Sequence, residues 1–88
     1  MVETSTGNPY IEEGDIRTFP VTAPDSELIW HRDHNDRVVE VIKAGGWSYQ
    51  MDDELPQKLE NGEMVYVPKE TYHRVIKGTQ DLVIRIHE

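Results

Sequence analysis

The chain has 88 residues, with 17 acidic and 9 basic side chains and a formal net charge of -8. This length allows one domain with a small core, and an acidic excess without a basic stripe disfavours nucleic acids and anionic membranes as partners. Because the chain has no cysteine, a metal or a second subunit remains as the means of reinforcing so small a fold.

Residues 1–14 are polar and contain Gly7, Pro9 and Gly14. They are therefore predicted to form a frayed tail or an edge segment, to which we assign no functional role. They lack the basic start and apolar centre of a signal peptide, and no apolar run of the chain approaches the roughly 20 residues of a membrane span. A cytoplasmic location is the resulting prediction.

Residues 15–88 are predicted to form one all-β domain. Runs rich in valine, isoleucine, tyrosine and tryptophan alternate with proline, glycine and aspartate turns about every ten residues, a spacing that excludes long helices. The predicted strands are 16–19, 27–30, 38–42, 47–51, 64–67, 74–77 and 82–87. The pairs Gly45-Gly46 and Asn61-Gly62 suit hairpins or corners. Such a set of short antiparallel strands must curl or close its sheet to bury an apolar face.

Five residues of the second half stand at the spacing of the motif Gly-x5-Pro-x-Gly-x2-His-x3-Asn, namely Gly62, Pro68, Glu70, His73 and Lys77. This pattern resembles the second of the two sequence motifs of the cupins, a superfamily of jelly-roll barrels. The glycine, the proline and the histidine match, whereas Glu70 and Lys77 replace a glycine and an asparagine.

The first cupin motif is degenerate in this chain. At its two histidine positions, its glutamate and its glycine stand His31, Asp33, Arg37 and Ala44. The resemblance covers residues 30–88, about two-thirds of the chain. It implies a single-domain cupin-type fold, the double-stranded β-helix or jelly-roll barrel, with an interior site.

The resemblance also implies a metal site. Residues two apart on a strand share a face, so His31 and Asp33 are expected to point together. That His73 joins them in one cavity is implied by the resemblance and not by spacing alone. Two imidazoles and one carboxylate are the ligand set of non-haem iron sites, and they also suit zinc, manganese or nickel.

Arg37 leaves three arrangements open. A metal binds despite the nearby guanidinium; or Arg37 pairs with Asp33 or Asp36 in a metal-free cavity; or Arg37 points outward. Arg37 is also a predicted substrate-binding residue. The other predicted substrate-binding residues are Trp47, Tyr49, Tyr66 and Lys77. The three aromatic residues can belong either to the core or to the wall of a pocket, and Lys77 stands at a marked position of the second motif.

Three classes of function follow from these residues. The first is a small metal-dependent enzyme acting on a small polar metabolite, the second is a metal-free module that binds an anionic metabolite through Arg37 and His73, and the third is an accessory subunit with a vestigial cavity. Whether the protein is an enzyme stays open. Because the segment 38–42 carries apolar side chains on both faces, a homodimer is also predicted.

Overall fold

The protein is described by a computed structural model over residues 10–87, and within that range it is nearly all β. Residues Asp25–Glu27 form a 3-10 turn. The strands, numbered in chain order, are β1 (Ile11–Glu13), β2 (Ile16–Phe19), β3 (Arg37–Lys43), β4 (Ser48–Met51), β5 (Gln57–Lys58), β6 (Met64–Val67), β7 (His73–Ile76) and β8 (Leu82–His87).

The strands form two antiparallel sheets, one of five strands in the order β1-β2-β8-β3-β6 and one of three in the order β5-β4-β7. Core side chains come from both sheets and from the corners between them, so the sheets pack face to face. Val41, Trp47 and Leu82 are fully buried. Fold and site are linked because strands of the five-stranded sheet also supply part of the lining of a cavity.

The strand predictions are largely confirmed. β2, β6 and β8 have the predicted bounds, β3 is longer by one residue at each end, β4 begins one residue later than predicted, and β7 lies one residue earlier. Residues 11–13 of the predicted tail or edge segment form the edge strand β1, whereas residues 1–9 lie outside the described residues. The two-residue strand β5 was not predicted.

The predicted strand 27–30 is wrong. Pro24 opens the 3-10 turn with extended backbone angles, and the amide of Leu28 donates to the carbonyl of Asp25 at 3.0 Å. The proline fixes φ near the value that a turn requires. Leu28 therefore caps a turn, and Ile29 and Trp30 follow it in irregular backbone and not in a sheet. Leu28 and Ile29 line the cavity instead.

Within residues 10–87, the structure contains no helix with the length and apolar character of a membrane span.

Self-association stays a prediction, and the outer face of β6 is where we expect it to occur. β6 is an edge strand of the five-stranded sheet, and its outward side chains Met64 and Tyr66 are 55% and 58% exposed. Open edges with apolar side chains tend to pair with another chain. Light scattering at micromolar concentration is expected to give about 20 kDa, twice the chain mass of 10.2 kDa. A mass of one chain would contradict the homodimer.

Candidate functional site

The site lies where the loop before β3 is joined to the start of β7 by backbone hydrogen bonds. The amide of His31 donates to the carbonyl of His73 at 3.0 Å, and the amide of His73 donates back at 2.8 Å. A reciprocal antiparallel pair of this kind places the two side chains next to each other on one face. The imidazole ring centroids are accordingly 4.3 Å apart.

Asp33 completes a cluster of three potential metal ligands. One ligand atom each from His31, Asp33 and His73 lies within 4.8 Å of the other two. Nε2 of His73 lies 3.4 Å from Oδ2 of Asp33. Both of these side chains are largely buried, at 13% and 17% exposure. The expected convergence of the three residues is therefore present in the structure.

Backbone carbonyls determine which imidazole nitrogens are available. Nδ1 of His31 lies 3.1 Å from the carbonyl of Ile29, and Nδ1 of His73 lies 2.8 Å from the carbonyl of Thr71. A carbonyl can only accept, so each Nδ1 carries the proton and each Nε2 of a neutral ring retains its lone pair. Hydrogen bonds of this kind commonly orient metal-binding histidines.

Burial keeps His73 in the form that binds a metal. Desolvation lowers the pKa of His73, the hydrogen bond to Thr71 opposes that change, and the neighbouring His31 ring lowers the pKa further. A lowered pKa favours the neutral imidazole near neutral pH, and metals bind the neutral form.

Arg37 reaches the same place from the start of β3. Its guanidinium Nη1 lies 4.0 Å from Oδ1 of Asp33, its side chain is 21% exposed, and it lines the cavity. The structure therefore has Arg37 facing inward, as two of the three arrangements expected from the sequence require. Asp36 has a different role, because its Oδ1 accepts from the amide of Lys69 at 2.8 Å.

Glu70 holds the loop before β7 against the loop before β3. Its amide donates to the carbonyl of Asp33 at 2.7 Å, and its carboxylate lies 3.3 Å from Arg32 and 3.2 Å from His34. Its φ of 59° is a left-handed conformation that favours glycine. The side chain thus adds contacts at the position where the cupin motif has glycine.

A cavity of about 500 Å³ opens beside this cluster. Its size is within the range of about 300–1,000 Å³ typical of small-molecule sites. Its charged and polar side chains include His31, Asp33, Arg37 and Arg17. Most of its wall is apolar and includes Phe19, Leu28, Val39, Val67, Val75 and Ile84. The arrangement is a polar cluster at the side of an apolar hollow.

Four of the predicted substrate-binding residues do not line this cavity. Trp47 is fully buried, and its indole nitrogen donates to the carbonyl of Gln80. The Tyr49 hydroxyl lies 3.2 Å from Gln57, and burial, followed by the charges of Glu63 and Glu54, raises the pKa of Tyr49.

The other two of these residues lie elsewhere on the domain. Tyr66 is on the exposed face of β6, and Lys77 donates to the carbonyl of Ala23 and lies 3.5 Å from Asp25. None of these four lines the cavity, and their contact with a substrate stays a prediction. Strand alternation predicts only which residues share a face; it does not show which sheet or which end of the barrel they reach.

Sequence reasoning missed the residues that β1, β2 and their flanks bring to the cavity. Tyr10, Arg17 and Phe19 all line it. Arg17 and Phe19 are two apart on β2, and Phe19 is buried. Their shared face was a signal that Arg17 also points inward. Arg17 is compensated there by Glu12 at 3.3 Å and lies 4.7 Å from the centre of the Tyr10 ring.

The donor set at the cluster fits a divalent transition metal. Neutral imidazole nitrogens and a carboxylate oxygen suit zinc, iron, manganese or nickel. Ligands around an ion bound at about 2.1 Å lie roughly 3.0–3.5 Å from their neighbours, so side-chain movements of about 1 Å would close the cluster around an ion. The positive charge of Arg37 would oppose such an ion and lower the affinity of these ligands for it.

No family model matches the chain, and no curated protein shows detectable similarity to it. Solved structures share its fold. A protein of Neisseria meningitidis has 20% identity and a TM-score of 0.55, over 88% of this chain and 77% of that one. A cupin-2 domain protein of Shewanella frigidimarina has 22% identity and a TM-score of 0.55, over 86% of this chain and 72% of that one. A cupin domain of Bordetella pertussis has 22% identity and a TM-score of 0.52, over 89% of this chain and 88% of that one. The expected cupin jelly-roll fold is thereby confirmed.

Proposed function

We propose that the protein binds a divalent transition metal through His31, Asp33 and His73 and uses it to hold a small molecule in the adjoining cavity. The observation that carries this proposal is the proximity of the three ligand atoms, all within 4.8 Å of one another. The hydrogen bonds of both Nδ1 atoms support it, because they leave each Nε2 able to bind an ion. When bound, such an ion supplies Lewis acidity toward an oxygen of the small molecule.

The residues of this chain have separate parts in the proposed site. The backbone pair between His31 and His73 holds the two imidazoles together, and Glu70 fastens the loop that carries Asp33. The apolar wall excludes water from the polar cluster, which strengthens every charge interaction within it. Arg37 supplies a positive charge that an anionic group of the small molecule can meet.

A second candidate function is a metal-free binding module. The observation that favours it is the approach of Arg37 to Asp33 at 4.0 Å, since an internal ion pair can replace a metal as the polar centre of a cavity. In that case small carboxylates should raise the melting temperature in the presence of a chelator, and Arg37→Ala should abolish the effect.

The metal proposal is tested by measuring bound metal in protein purified without a polyhistidine tag. After loading with zinc, iron, manganese, nickel or cobalt and removal of excess ion, we expect close to one ion per chain for at least one metal. The His73→Ala substitution should reduce the bound metal to background, because two protein ligands bind an ion far more weakly than three. The matched control is His87→Ala, since His87 lies on the outer face beside Glu40 at 3.0 Å.

Two results would overturn the metal proposal. One is metal at background in the loaded wild-type protein. The other is an equal loss of metal in the His73→Ala and His87→Ala variants, which would place the ion outside the cavity cluster.

A further inference from the structure

The exposure of its lining residues locates the mouth of the cavity. Three of the lining residues that the structure describes are exposed, namely Ser26, Ile29 and His31, and all three lie on the segment between β2 and β3. The others are half-buried or buried. A side chain that lines a hollow and also meets solvent stands at the opening of that hollow. The cavity therefore opens along residues 26–31, where Ile29 is a large apolar side chain with 60% exposure.

This segment is attached at both ends and has few hydrogen bonds between them. At one end Lys77 donates to the carbonyl of Ala23, and at the other end the backbone of His31 pairs with that of His73. Within the described residues 10–87, the backbone of residues 28–30 forms no hydrogen bond with either sheet. Segments with few such bonds to the body of a domain open locally at a low cost in free energy. Local opening of this segment can therefore leave both of its ends in place.

One hydrogen bond connects the segment to the proposed metal site. The carbonyl of Ile29 lies 3.1 Å from Nδ1 of His31, and it can accept only while Nδ1 carries a proton. In the metal-free protein, opening of the segment lets that proton move to Nε2, because a neutral imidazole can carry its proton on either nitrogen. An ion bound at Nε2 removes this alternative and keeps Nδ1 as the donor. Metal binding therefore favours the closed segment.

We propose that residues 26–30 form a gate through which small molecules enter the cavity past Ile29, and that an ion at His31 holds this gate closed. The position of the gate rests on the exposed lining residues and on the hydrogen bonds of the segment. Its coupling to the ion rests on the proposed metal site. By linkage, closure of the gate must tighten metal binding by the same factor by which the metal favours closure.

The gate is tested in metal-free protein with a single thiol behind it. The chain has no cysteine, so we replace Val67, which lines the cavity and is 6% exposed, by cysteine. Reaction of this thiol with methyl methanethiosulfonate is followed by mass spectrometry. In this background we expect Ile29→Ala to raise the rate about tenfold and Ile29→Trp to lower it about tenfold, because the size of the side chain at the mouth changes access. The matched control is Leu55→Ala, which should leave the rate nearly unchanged, since Leu55 is 83% exposed and does not line the cavity.

Two results would overturn the gate. One is a thiol rate that does not respond to the size of the side chain at position 29. The other is a rate that follows the melting temperatures of the variants, because access to the thiol would then require unfolding of the whole domain.

The coupling is tested by amide hydrogen exchange of untagged protein with and without zinc. The amide of Leu28 in the gate donates to the carbonyl of Asp25 at 3.0 Å, and the amide of Glu54 donates to the carbonyl of Met51 at 3.1 Å. Glu54 lies in a turn that does not line the cavity, so it is the matched control. Zinc should slow exchange at Leu28 about tenfold and leave exchange at Glu54 nearly unchanged.

The outcomes separate this inference from the proposed function. If zinc and the other metals do not bind, the metal proposal fails, and the thiol rates still decide whether the gate exists. If zinc binds but protects Leu28 no more than Glu54, the coupling is overturned while the metal site stands.

Discussion

Replacement of Gly78 by alanine is expected to lower the free energy of unfolding by at least about 3 kcal/mol, at the upper end of the cost of overpacking a core. A Cβ atom at Gly78 would lie under 3.0 Å from backbone atoms of Gly45, Gly46 and Trp47. No rotamer change can relieve a contact with backbone, so the two corners of the chain must separate.

Those corners join the two sheets. The residues 45–47 lead from β3 in the five-stranded sheet to β4 in the three-stranded sheet, and 78–81 lead from β7 back to β8. The amides of Thr79 and Gln80 donate to the carbonyl of Gly45 at 2.9 and 3.1 Å, and the indole of the fully buried Trp47 donates to Gln80. Displacement of one corner therefore disturbs the central side chain of the core.

The measurement is thermal unfolding followed by circular dichroism. For a domain of this size, about 3 kcal/mol corresponds to a fall of roughly 12–24 °C in melting temperature. Gly62→Ala is the matched control. Gly62 has a φ of 85° and open space around it, so its substitution should cost only the strain of the left-handed conformation, about 1–2 kcal/mol. Equal melting temperatures for the two variants would show that the corners do not depend on this close approach.

The strands that the sequence predicts correctly are those in which buried apolar residues alternate with exposed ones. β8 alternates buried Leu82 and Ile84 with outward residues, and β6 alternates in the same way, so both strands have their predicted bounds. β1 and β5 are exposed throughout. Their pairing depends on backbone hydrogen bonds to neighbouring strands, which leave no periodic signal in the side chains.

The site shows the same limit. That His31 and His73 meet was implied by the motif resemblance, and the structure brings them together by a backbone bridge between residues 42 positions apart. No local rule predicts such a pair. Tyr49 does not line the cavity although it lies directly opposite Val75, which does, because alternation along a strand predicts the face of a side chain and not its distance from a cavity.

Arg37→Glu is expected to tighten cobalt binding by at least about 100-fold. A guanidinium about 6 Å from a divalent ion, at an effective dielectric near 20, repels it by roughly 5 kcal/mol, and the substitution replaces that repulsion by attraction. Screening by water at a side chain that is 21% exposed reduces the full Coulomb value. By the motif resemblance, the variant also restores the glutamate that the first cupin motif has at this position.

The metal-free form of Arg37→Glu should be less stable than wild type. The introduced carboxylate would face Asp33, which is 17% exposed, with like charge, and we expect a loss of about 1–4 kcal/mol in unfolding free energy at neutral pH. Cobalt should then raise the melting temperature of the variant more than that of wild type, because the ion neutralises both carboxylates. Arg85→Glu makes the same charge change on the outer face and should leave cobalt binding within about threefold. Cobalt affinity in Arg37→Glu that also stays within threefold of wild type would show that position 37 does not face the ion.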